Sequence, residues 1–134
     1  MSDSVVVGWT RTPESEAAIA AAVEEARRRT ARLIVVHSAR GGVEDARTVS
    51  DNRDALAELE AQLRSEGLEV VVRDLIRGNQ PADDLIEVAE KENAALIVIG
   101  LRRRSPVGKL LMGSHAQEIL LRADCPVLAV KAIT

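Results

Sequence analysis

Apolar residues gather in five short runs: Val5-Val6-Val7, Leu33-Ile34-Val35-Val36, the stretch from Leu68 to Leu75, Leu96-Ile97-Val98-Ile99, and Val127-Leu128-Ala129-Val130. Four of these are nearly continuous and aliphatic, the pattern of strands covered on both faces in a parallel sheet. The third is interrupted by Glu69, Arg73 and Asp74 and reads as an outer strand.

Between the runs the spacing becomes helical. Ile19, Ala22, Val23 and Ala26 form one apolar stripe, with Thr12 as its cap and Pro13 at the first position, where the missing N–H has no partner to lose. Leu56, Leu59 and Leu63 mark a second helix that Gly67 ends, and Pro81 opens a third with Leu85, Ile86 and Ala89 inward. Ser114 and Gln117 fit a capping box before a fourth helix, with stripe Ala116, Ile119, Leu120 and Ala123, and Pro126 forbids its continuation. Residues 39–50, with Gly41-Gly42, read as the longest loop. Strands alternating with helices in this order predict an α/β fold, an open parallel sheet with helices on both faces.

At 134 residues and 14.4 kDa the chain fits one domain, 1–134. With no Phe or Tyr and only Trp9, the core must be built from Val, Ile, Leu and Ala. Eighteen Lys and Arg against 21 Asp and Glu leave a net charge of −3, which argues against a general nucleic-acid binder. No apolar run approaches the roughly 18 residues of a membrane span. The start, Met1-Ser2-Asp3-Ser4, has no secretory pattern, and the lone Cys125 suits a reducing compartment, so a cytoplasmic protein is expected. His37, His115 and Cys125 show no zinc spacing.

In an open parallel sheet, ligands bind beyond the carboxyl ends of the strands, where the winding reverses. The segments there are Gly8-Trp9-Thr10-Arg11-Thr12 and the longer Gly100 to Ser114. In the second, Gly100 lets a ligand approach the backbone, Gly113-Ser114 opens a helix whose N–H groups favour an anion, and Arg102, Arg103, Arg104 and Lys109 add cations with no acid among them. The plainer alternative is a capped helix behind a solvated run of arginines. A Walker loop is absent: Arg103 stands where its first glycine belongs, and Leu110 follows Lys109.

Val5-Val6-Val7-Gly8 with Thr12-Pro13-Glu14-Ser15, Val35-Val36-His37, Gly100 to Ser114, and Asp124-Cys125-Pro126-Val127-Leu128-Ala129-Val130-Lys131 together resemble the universal stress protein family over nearly the whole chain. The resemblance implies a Rossmann-like sheet in the order 3-2-1-4-5 with four helices. It also implies ATP or another adenine nucleotide bound through G-x2-G-x9-G-[S/T] after the fourth strand, and a homodimer through Val127 to Lys131. Gly100 and Gly113-Ser114 match that motif, while Arg103 replaces its middle glycine and Thr10 stands where the family tends to place an aspartate. Arg103 either obstructs the nucleotide or grips phosphate; Trp9 either stacks on a base or fills the base pocket from within. The expected site is Gly8, Trp9, Thr10, Val36, Gly100, Arg102, Arg103, Gly113, Ser114 and His115.

Dedicated catalysis is not expected. Side chains adjacent on a helix, such as Ser114 and His115, diverge by about 100° and make a poor nucleophile–base pair. Cys125 reads as a small packed residue and His37 as packed or ligand-adjacent. Magnesium would enter only with the nucleotide; Asp3, Asp45 and Asp74 are the acids whose distance from the site depends on the fold. Three readings remain: a nucleotide-responsive stress-type dimer, a relative that works through protein partners without ATP, and a weak ATPase.

Overall fold

The computed structural model describes residues 3–39, 46–76, 80–101 and 114–132, with the side chains of Ala39, Ile76 and Ser114 left out. Along the chain come β1 (Ser4–Gly8), α1 (Pro13–Arg29), β2 (Arg32–Ala39), α2 (Ala46–Ser65), β3 (Val70–Ile76), α3 (Pro81–Lys91), β4 (Leu96–Leu101), α4 (Ser114–Arg122) and β5 (Val127–Lys131). The strands form one parallel sheet in the order β3-β2-β1-β4-β5. The fold class and strand order are those expected.

Alternation along each strand divides the core in two. Val5, Val7, Leu33, Val35, Val70, Leu96 and Val98 face α1 and α2, while Val6, Ile34, Val36, Ile97 and Ile99 face α3 and α4. Both faces of the central strands are sealed, which is why their runs are continuous rather than alternating. β3 lies at one edge, and its Arg73 and Asp74 are exposed.

Local signals behave as expected at the helix ends. Thr12 caps α1 by accepting from the Ser15 N–H, with Pro13 in the first turn. Gly67, at φ 91°, ends α2: its own N–H bonds back to Arg64 and that of Leu68 to Leu63.

Other expectations are corrected. Residues 39–50 are not a single loop, because α2 begins at Ala46; its first turns are polar and mostly exposed, so no apolar stripe announced them. The buried line of α1 is Ser15, Ala18, Ala22 and Ala26, with Ile19 and Val23 half-buried on its flank. Small residues let this helix lie close to the sheet. In α4 Ile119 is buried, but Leu120 is 40% and Leu121 85% exposed. This short helix packs on α3 and β4 beside the outer part of the sheet, so only one line of residues reaches the core.

Candidate functional site

β1 sits mid-sheet. From it the chain winds outward through β2 to β3, then returns to lay β4 on the other side of β1. The carboxyl ends of β1 and β4 therefore flank the reversal point, the crevice where this architecture binds ligands. Gly8 pairs with Val36, and Val7 with Val98.

The turn after β1 is tied down by its own hydroxyls. The Trp9 N–H donates to the Val36 carbonyl at 2.8 Å. The Thr10 N–H donates to Ser15 Oγ at 2.9 Å, the Ser15 N–H donates to Thr12 Oγ1 at 3.2 Å, and the Thr10 and Thr12 hydroxyls lie 2.9 Å apart. These contacts satisfy donors that the start of α1 leaves without helical partners. They also engage the hydroxyl of Thr10, one of the expected site residues.

Trp9 is half-buried against the α1–α2 core. Its ring meets His37 edge to face, with centroids 5.2 Å apart at 90°. The Arg11 guanidinium carbon lies 5.9 Å from the indole centroid. Arg11 is itself anchored on α2: Nε donates to Asn52 Oδ1 and Nη2 to the Asp51 carbonyl, both at 2.8 Å.

Two further polar pairs stand at the end of β2. His37, 7% exposed, places Nδ1 3.0 Å from Asp74 Oδ1 on β3. The next residue faces the other side of the sheet, where Ser38 Oγ donates to Asp84 Oδ2. Asp84 is fully buried in the first turn of α3, where the helix dipole favours a carboxylate.

Of the expected site residues, the structure brings together Gly8, Trp9, Thr10 and Val36. Gly100 follows two residues after Val98 but lies inside β4, which runs on to Leu101. Its small size answers a different need from the one expected: an added Cβ would stand 2.1 Å from the Glu14 carbonyl oxygen. The neighbour at this position is the first turn of α1. Ser114 opens α4, and His115 is exposed on it. Arg102, Arg103 and Gly113 lie outside the described residues, as do Arg104, Lys109 and the Ser114 side chain.

Asp74 lies at the carboxyl edge of the sheet. Asp3 is at the opposite end, where its carbonyl accepts from the Arg32 N–H, and Asp45 is outside the described residues. Among the described residues no three His, Cys, Asp or Glu gather to hold a metal ion. Cys125 precedes β5, at the far end of the sheet, and burial pushes its thiol up, a setting for packing rather than nucleophilic chemistry. An open trough of about 520 Å³ runs between α1 and α2 with Trp9 and Thr10 among its lining residues. No described helix is long and apolar enough to cross a membrane.

The sequence held a partial signal for these side chains. Parallel strands end at one edge, so polar residues at successive strand ends, such as His37, Ser38 and Asp74, become neighbours. Nothing local announced Arg11 with Asn52, which are 41 residues apart.

A model of the universal stress protein family matches residues 1–131. The chain is 38% identical over 128 residues to a universal stress protein of Mycolicibacterium smegmatis, covering 95% of this chain and 96% of that one. A universal stress protein structure from Archaeoglobus fulgidus superposes with a TM-score of 0.82 at 36% identity, covering 98% and 99% of the two chains. Another from that organism, in complex with dAMP, superposes with a TM-score of 0.75 at 30% identity, covering 98% of each.

Proposed function

The chain belongs to the universal stress protein family, and from that premise we propose that it binds an adenine nucleotide where β1 and β4 end, as a homodimer with no chemistry of its own. The observation that carries this reading is the reversal point, where Gly8, Trp9 and Thr10 leave β1 beside the Val36 carbonyl. A half-buried indole suits the base end of a nucleotide. The relative solved with dAMP supports the same ligand class. On the other side, the segment joining β4 to α4 carries Arg102, Arg103, Gly113 and Ser114, residue types suited to phosphate. Magnesium, where present, would accompany the phosphates.

Trp9 is the only aromatic residue and reports on this site directly. Titration with ATP, ADP or AMP should change its emission saturably. A flat response at millimolar nucleotide, with no 260 nm absorbing material released by acid from the purified protein, overturns the reading. That outcome favours the alternative in which the protein acts through partners, which the internal engagement of Thr10 supports. Phosphate release with magnesium should equal that of buffer; steady turnover lost in Ser114→Ala would mean a weak ATPase instead.

A further inference from the structure

We propose that His37 reads the 6-position of the bound purine, with Nε2 accepting a hydrogen bond from the exocyclic amine of adenine; this rests on the nucleotide reading above. The argument starts at Asp74. An ionised carboxylate only accepts hydrogen bonds, so the Nδ1 atom 3.0 Å from Asp74 Oδ1 must carry the proton. In the neutral ring Nε2 is then a lone-pair acceptor, since the hydrogen bond at one nitrogen sets the state of the other. Nε2 has no hydrogen-bond partner among the described residues, yet it is not among the sealed, unpartnered side-chain atoms, of which Arg32 Nε alone is found there. The ring is thus held from two sides, by Asp74 on β3 and by the edge contact with Trp9, while one acceptor stays available.

Its position suits the role. His37 follows Val36 on β2, the strand paired with β1, so it stands at the carboxyl edge that borders the crevice. The turn Gly8-Trp9-Thr10-Arg11-Thr12 contains no carboxylate, and the Thr10 hydroxyl and N–H are both engaged with neighbours. Among the described residues, His37 Nε2 is thus one acceptor that this edge offers to a base. Adenine carries a donor at its 6-position, whereas hypoxanthine carries an acceptor there, so a fixed acceptor in the protein favours the first and leaves the second with an unmade bond.

The test compares AMP with inosine monophosphate, which share ribose and phosphate. Equilibrium dialysis measures the two affinities. The wild-type protein should prefer AMP by about tenfold, the scale of one hydrogen bond. In His37→Ala that preference should vanish, with inosine monophosphate binding unchanged. Asp74→Asn presents an amide that can donate to Nδ1 and move the ring proton to Nε2, so the preference should turn toward inosine monophosphate. A role limited to packing would not reverse the ratio. Circular dichroism establishes that each variant is folded; if His37→Ala is not, the wild-type ratio decides, and equal binding of the two nucleotides overturns the proposal. Retention of the AMP preference in His37→Ala, or equal wild-type binding of both nucleotides, overturns this proposal and leaves the nucleotide reading intact. Wild-type binding of neither overturns both.

Discussion

At Gly100 an added Cβ would lie 2.1 Å from the Glu14 carbonyl oxygen, a backbone atom of α1 that cannot swing away. At Gly8 the nearest obstacle is Leu85 Cδ1 at 3.4 Å, the end of a flexible side chain. Gly8 ends β1 and Gly100 lies one residue inside the end of the neighbouring β4, yet they answer different needs. Gly100→Ala should cost about 3 kcal/mol, the upper end of ordinary overpacking, whereas Gly8→Ala should stay within about 1 kcal/mol. Urea unfolding midpoints measure both, and equal losses would remove the steric account. Cys125 gives a third test at this scale. Burial raises its thiol above the ordinary value, so a smaller fraction is thiolate at any given pH. Alkylation by iodoacetamide at pH 8 should be several-fold slower than that of a free cysteine, and the rate should keep rising with pH after the free thiol has levelled off.

α1 shows what one element contributes when both of its ends are specified. Thr12 bonds the Ser15 N–H at the start, and replacing it with Ala should cost about 1 kcal/mol, the usual scale of a lost cap. At the end Thr30 holds φ at 51°, a left-handed conformation that a β-branched residue adopts reluctantly. Thr30→Gly should therefore raise stability by about 1 kcal/mol, because relief of that strain exceeds the added freedom of glycine in the unfolded chain. Thermal melts of the two variants should move in opposite directions. The loop before α1 is tied to α2 through Arg11, so Thr12→Ala should also alter Trp9 emission, whereas Thr30→Gly should leave it unchanged.

An open sheet has two edges, and this molecule treats them differently. β3 presents the charged pair Arg73 and Asp74, the sort of edge that discourages pairing with another chain. β5 presents Leu128, 38% exposed, together with exposed Ala129. A second copy covering β5 is the arrangement we propose. Light scattering should give twice the 14.4 kDa chain mass for the wild type and the single chain mass for Leu128→Glu. A wild type of single chain mass at high micromolar concentration would end the dimer proposal.

Short-range physics is legible in the chain by itself. Continuous aliphatic runs mark the buried strands, helical spacing marks α1 and α3, and Thr12, Pro13 and Gly67 mark boundaries, because each acts on neighbours within a few residues. The polar first turns of α2 escape notice because they bury almost nothing. The order of the strands came through the family resemblance rather than from periodicity. The polar residues at the strand ends stood in the sequence, but their pairing belonged to the tertiary structure. His37 meets Asp74 across 37 residues and Ser38 meets Asp84 across 46, and Gly100 is glycine because a helix begun at Pro13 crosses over it. Such contacts depend on which strands become neighbours, and the residues themselves hold no local record of that distance.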